Sequence, residues 1–164
     1  MGSGKSTVGA MVARETGRAF VDVDVAIASL TGKTVRELWE EGGEAAYREL
    51  EARVTMDTVA RSEPTVLAAP GGVVLDARVC EALASTFVVW LRTDPTTLTH
   101  RVQPSDHRPL LSDNPGEVLA AMSEARSSVY QQLSNAVVDT DHRDAATVAT
   151  MVVELVSGMT SERA

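Results

Sequence analysis

The run Gly2-Ser3-Gly4-Lys5-Ser6-Thr7 has the residue types needed to hold a phosphate. Small residues at 2 to 4 let backbone N–H groups approach phosphate oxygens. A helix starting near Lys5 turns its positive end toward the same anion. Lys5 adds a mobile charge for β- and γ-phosphates, and the Ser6 hydroxyl suits Mg²⁺. The complete loop pattern is Gly, four residues, then Gly-Lys-Ser/Thr. Its leading glycine would lie two positions before Met1, with the feeding strand further upstream, so the chain starts inside the motif. The alternative, a Gly/Ser-rich disordered tail, is opposed by the residues next in the chain. Val8, Met11 and Val12 read as an amphipathic helix ending at Gly17, and Ala19–Asp22 reads as a buried strand.

Asp22 and Asp24 come where that strand stops. Two carboxylates beside Ser6 can support hydrated Mg²⁺ and take a proton from a hydroxyl nucleophile. Residues two apart in an extended segment point the same way, so both are expected to face the loop. A plain helix N-cap is the competing role for either. Glu44, Tyr47, Arg48 and Glu51 share one predicted helix at spacings of three. An arginine beside a carboxylate makes a fixed fork for a substrate carboxylate. Spacing alone favours the blander alternative, a solvated face with ordinary ion pairs. Pro70-Gly71-Gly72 ends a strand, where glycine admits a ligand to the backbone or simply makes a turn. Arg108, in the two-proline loop at 102–113, is placed to close over transferring phosphate. His100, His107 and His142 have no metal-site spacing.

Helix and strand patterns alternate along the chain, which predicts a layered α/β fold with a mainly parallel sheet. Strands are expected at Ala19–Asp22, 65–69, 87–92 and Ala136–Asp139. Helices are expected at 5–16, 23–30, 34–41, 43–61, 76–84, 95–101, 115–133 and 144–157. Ligands of such sheets sit beyond the carboxyl ends of the strands, where Asp22 and Pro70 fall.

The 164 residues suit one domain spanning 1–164. A hydrophobic content of 44% argues against disorder. The net charge of -8 disfavours a nucleic-acid partner but not an anionic small substrate held by local arginines. Cys80 is the single cysteine, so no internal disulfide forms. No apolar run approaches the ~20 residues that cross a membrane. These features predict a soluble cytoplasmic monomer with no membrane partner.

Taken together the motifs resemble the shikimate kinase family over nearly the whole chain. The likeness rests on Gly2 to Thr7, Phe20-Val21-Asp22-Val23-Asp24, Thr31-Gly32 and Gly43-Glu44. It continues through Tyr47-Arg48 with Glu51, Gly71-Gly72, Arg108-Pro109-Leu110-Leu111, Arg126 to Tyr130, and Val138-Asp139-Thr140. The resemblance implies a three-layer P-loop kinase fold. It implies transfer of the γ-phosphoryl of ATP to the 3-hydroxyl of shikimate, with Mg²⁺, on the route to aromatic amino acids. By position it implies that Gly2, Ser3, Gly4, Lys5, Ser6 and Thr7 hold phosphates. Ser6 then ligates Mg²⁺, with Asp22 in support. Asp24 becomes the substrate-binding base, and Arg48 and Arg126 clamp the carboxylate. Gly71 and Gly72 offer backbone, Trp39 and Tyr47 line the substrate site, Arg108 is the lid arginine, and Arg101 and Arg143 flank adenine.

Three departures stand out. Pro70 replaces a glycine, Ser128 replaces a proline, and the lid at 102–113 holds Gln103-Pro104-Ser105-Asp106 rather than a glycine-rich stretch. The first strand, central in this family between 65–69 and 87–92, is absent from the chain as given, as if its start were assigned too late. About five buried apolar residues at ~1.5–3 kcal/mol each amount to roughly 8–15 kcal/mol, comparable to a whole domain's ~5–15 kcal/mol. The expectation is that this chain made alone folds poorly and turns over little. The alternatives are a kinase of another hydroxy acid, such as gluconate, and a catalytically impaired relic.

Overall fold

The structure, a computed structural model, describes residues 2–101 and 114–161. The element order is α1 (Lys5–Thr16), β1 (Ala19–Asp22), α2 (Val23–Thr31), α3 (Val35–Val59), β2 (Thr65–Ala68), a 3₁₀ turn (Val73–Leu75) and α4 (Ala77–Leu83). There follow β3 (Val89–Arg92), α5 (Pro95–Arg101), α6 (Pro115–Leu133), β4 (Ala136–Asp139) and α7 (Ala145–Ser161). The alternation predicted from the sequence is present.

Local signals explain the boundaries. Gly17 ends α1 in the left-handed region, its N–H donating to Ala13 O. Asp22 caps α2, and Thr34 with Glu37 forms a capping box at the start of α3. The two helices expected at 34–41 and 43–61 lie end to end as α3, interrupted at Gly43 (φ 72, ψ −179), a conformation essentially confined to glycine.

β1 pairs in parallel with β2, Ala19 opposite Thr65 and Asp22 opposite Ala68. β3 pairs in parallel with β4, Val89 opposite Ala136 and Arg92 opposite Asp139. Among the described residues these are two separate two-stranded sheets, and no strand lies between β2 and β3. A cavity of about 760 Å³ separates them, walled by Val66, Leu67, Val89 and Leu91 and by Val12 and Val152.

Three apolar clusters place the elements around the site. Val8 and Val12 of α1 pack with Val138 of β4 and Val148, Ala149 and Val152 of α7. Val73, Val74, Val79 and Leu83 pack with Ala52 of α3 and, from α6, Val129, Tyr130 and Leu133. Val23 and Ile27 of α2, 0% and 1% exposed, pack with Tyr47 and Val54 of α3. Burial of each such side chain stabilises by ~1.5–3 kcal/mol, enough to fix α2 against α3. That fixes Asp24 against Tyr47.

Candidate functional site

A cavity of about 280 Å³ opens beyond the ends of β1 and β2. Gly4, Lys5, Ser6 and Thr7 form one wall, Asp22 and Asp24 another. Tyr47, Arg48 and Glu51 enter from α3, Gly71 and Gly72 from the loop after β2, and Arg126 from α6. Residues more than a hundred positions apart thus meet in one place. The larger cavity between the sheets is lined by residues of many elements, the side chains of β2 and β3 among them.

The carboxylate pair is arranged differently from the extended-segment expectation. Asp22 ends β1, and its Oδ1 accepts from Asp24 N at 3.0 Å and Val25 N at 3.4 Å. Asp24 sits in the first turn of α2. A helix turn, not a shared strand face, brings both to the cavity. Asp22 is the N-cap of the blander alternative, and it lines the cavity as well. Asp24 Oδ1 accepts from the Tyr47 hydroxyl at 3.1 Å.

Arg48 is not on a merely solvated face. Its Nη1 donates to Glu51 Oε2 at 2.6 Å, and its Nη2 to Glu44 Oε1 at 3.2 Å. Glu44 is exposed, but the Glu51 side chain is only 4% exposed. Burial pushes the Glu51 carboxyl up from its ordinary value, against the downward pull of Arg48. Burial pulls the Arg48 guanidinium down, and its bonds to Glu51 and Glu44 outweigh that, so the net direction is up. Glu44 and Glu51 between them accept from all three Arg48 nitrogens, and each terminal nitrogen carries a second N–H that an anion can take.

The loop after β2 keeps its turn despite Pro70. Val73 N donates to Pro70 O at 3.3 Å, so the carbonyl that proline retains is the group the turn uses. A Cβ on Gly72 would lie 2.7 Å from Arg48 Nη1, so a side chain there would displace the guanidinium from its present place. Tyr130 donates its hydroxyl to Gly71 O at 2.7 Å. α6 runs unbroken through Ser128, so the missing proline costs no helix.

Lys5 Nζ donates to Ser3 Oγ at 3.5 Å at the loop itself. Gly2 and Ser3 do not wall the smaller cavity. Arg101 donates to Thr140 O at 2.8 Å, and Arg143 to Asp139 O at 2.8 Å. Both arginines thus reach the end of β4, apart from the smaller cavity. Trp39 does not line that cavity either. It packs tilted on Tyr47, ring centroids 6.4 Å apart. Arg108 and the lid expected at 102–113 lie outside the described residues.

Sequence reasoning missed two supports. Tyr130 braces Gly71, and its place one helical turn after Arg126 was the available signal. The buried hydroxyl pair Thr93 and Thr140, 2.6 Å apart, anchors Arg101 through its bond to Thr140 Oγ1 at 3.1 Å, and nothing in the spacing marks it.

Comparison with known proteins agrees with this geometry. The family model described as shikimate kinase matches residues 1–157. A shikimate kinase from Streptomyces avermitilis is 37% identical over 154 residues, covering 94% of this chain and 90% of the relative. One from Actinobacillus pleuropneumoniae is 31% identical, covering 97% and 92%. The solved structure of shikimate kinase from Acinetobacter baumannii in complex with shikimate superposes with TM-score 0.92 at 31% identity, covering 96% of this chain and 89% of that one. The Bacteroides thetaiotaomicron shikimate kinase gives TM-score 0.83 at 28% identity, covering 96% and 94%. With Gly4 to Thr7, Asp22, Asp24, Arg48 and Arg126 gathered in one cavity, the chain belongs to the shikimate kinase family.

Proposed function

We propose that the smaller cavity transfers the γ-phosphoryl group of ATP to the 3-hydroxyl of shikimate. One observation carries the reading: the Gly4–Thr7 segment, Asp24, and the Arg48 and Arg126 pair all wall the same 280 Å³ space. An anion loop opposite a two-arginine clamp, with a carboxylate between them, suits a phosphate donor and a carboxylate-bearing alcohol.

In this reading the backbone of Gly2 to Thr7 and the Lys5 ammonium hold the phosphates. Arg48 and Arg126 grip the substrate carboxylate, and Gly71 and Gly72 offer their backbone to the substrate. Asp24 binds the ring hydroxyls and receives the proton of the attacking one. The O3–P bond forms as the bond from the γ-phosphorus to the bridging oxygen breaks, its electron pair leaving with ADP. Positioning and charge stabilisation supply most of such catalysis. Arg108 neutralises developing charge from the lid, and Arg101 and Arg143 flank the adenine. Tyr47, with Trp39 behind it, shapes the substrate side.

The donor set fits Mg²⁺. The Ser6 hydroxyl and the Asp22 carboxylate are hard oxygen donors on one cavity, and Mg²⁺ takes only one or two protein ligands beside phosphate and water. Asp22 spends Oδ1 on capping α2, leaving Oδ2 for a hydrated ion. When bound, Mg²⁺ neutralises charge on the β- and γ-phosphates. Among the described residues no helix is long and apolar enough to cross a membrane. We take residues 1–164 to work as one domain in a cytoplasmic monomer.

A coupled ADP-release assay with shikimate and gluconate in parallel tests the reading. Turnover with shikimate and not with gluconate is expected, and Asp24→Asn should cut it to a small residual rate while ATP binding persists. Turnover with gluconate in place of shikimate would overturn the substrate. Unchanged turnover in Asp24→Asn would remove it as proton acceptor.

A further inference from the structure

We propose that Tyr47 is a positioning residue for phosphoryl transfer that acts through Asp24, an inference resting on Asp24 as the group that receives the hydroxyl proton. The Tyr47 hydroxyl donates to Asp24 Oδ1 at 3.1 Å, joining α3 to α2 across the cavity wall. The two partners differ sharply in freedom. Asp24 is exposed in the first turn of α2. Tyr47 is 4% exposed and held by Val23, Ile27 and Val54, with the Trp39 ring tilted against it. A fixed donor therefore holds a mobile acceptor.

An exposed aspartate samples several side-chain rotamers. A reacting carboxylate must occupy the one that meets the substrate hydroxyl, and misplacement by about 1 Å can cost ~100-fold in rate. The phenol selects a rotamer before substrate arrives. It is also a permanent donor: burial first, then the negative charges of Asp24 and Glu51, push its ionisation well above the ordinary tyrosine value. Tyr47 thus keeps its proton and does not compete for that of the substrate. A phenylalanine would supply the same packing without the hydroxyl, so the positioning role is separable from the structural one.

The carboxylate's charged surroundings are common to every variant compared. Lys5, Asp22, Arg48, Glu51 and Arg126 wall the same cavity and remain in place. The experiment is a double-mutant cycle on the full chain with Tyr47→Phe, Asp24→Asn and the pair, measuring kcat, KM for shikimate and for ATP, and the thermal midpoint. Tyr47→Phe should lower kcat about three- to tenfold, less than the full loss of a hydrogen bond to a charge because Asp24 is exposed. KM for ATP should be unchanged, and the thermal midpoint should stay within a few degrees. In the Asp24→Asn background the Tyr47→Phe change should have no further effect on residual kcat.

Losses that multiply in the double variant would overturn the proposal and leave Tyr47 as packing only. Wild-type kcat in Tyr47→Phe would overturn it as well. Full turnover in Asp24→Asn would instead remove the proton-acceptor reading, and the positioning role with it. A readout independent of turnover is 3-fluorotyrosine placed at position 47. Its ¹⁹F resonance should shift in Asp24→Asn and on adding shikimate, and a resonance indifferent to both would also overturn the proposal.

Discussion

The Arg48 guanidinium rests against the backbone of Gly72 so closely that a Cβ added there would lie 2.7 Å from Nη1 and 3.1 Å from Cζ. The guanidinium cannot simply swing away, because Glu51 and Glu44 hold it from behind. Gly72→Ala is expected to raise KM for shikimate about tenfold, the effect of ~1.4 kcal/mol of lost binding, with KM for ATP nearly unchanged. Varying each substrate at saturating levels of the other checks this. An equal rise in both constants would point to a collapsed loop instead.

Glu51 is 3% exposed and paired with Arg48. Removing one partner of a largely buried pair leaves the other uncompensated. Glu51→Ala should destabilise the fold by about 2 kcal/mol, less than the ~3–5 kcal/mol of a fully buried pair because Arg48 keeps some solvent. Glu51→Gln keeps an acceptor for Arg48 and should cost less. Urea unfolding of both variants gives the ordering, and equal costs would contradict it.

Acid should weaken the fold. Hydrogen bonds hold Glu37, Glu49, Asp76, Asp94, Asp139 and Asp144 below their ordinary values, from Thr34, Arg78, Arg78, Thr96, Arg92 and Thr147 respectively. A carboxyl whose folded value is depressed binds fewer protons when folded, so its stabilisation is present above the unfolded value and lost as pH falls through the folded one. Glu51 has the opposite sign, being raised by burial, and its contribution is lost as pH rises. The depressed groups outnumber it. The urea midpoint should therefore fall steadily below about pH 4.5, near the unfolded carboxyl values. A midpoint flat from pH 6 to 3 would contradict the balance.

The cleft between β2 and β3 is partly open to solvent, with apolar walls and, among the described residues, unpaired strand edges. The protein is expected to bind an apolar fluorescent dye under native conditions, with a several-fold rise in emission. An emission unchanged by the protein would contradict this.

Much of the fold is legible in the sequence because the local signals are strong. Gly17, Thr34 and Pro115 punctuate helices, and the 19–22 and 136–139 strands are short apolar runs with breakers. Gly43 marks a break between two helical stretches, which is what its backbone does. Other features are not legible because they depend on which faces meet. Spacing on α3 suggests solvent around Arg48, yet Tyr47 and Glu51 are buried, since α2 and the loop after β2 cover that face. Period-two spacing aligns Asp22 and Asp24 along an extended segment, but α2 begins at Val23 and a helical turn brings them together.

The sequence by itself determined the chemistry available to this protein. Its anion loop, carboxylate pair and arginines follow from residue type and order, because those groups carry the same charge and hydrogen-bonding capacity wherever they lie. The tertiary structure alone decided which of them act together. Tyr47 on Asp24, Glu51 behind Arg48 and Tyr130 under Gly71 are contacts between separate elements or across a helix face whose cover comes from elsewhere. Those contacts exist because burial of Val23, Ile27 and the α3–α6 cluster fixes how the elements pack, and packing is a property of surfaces meeting in space, which a linear spacing does not contain.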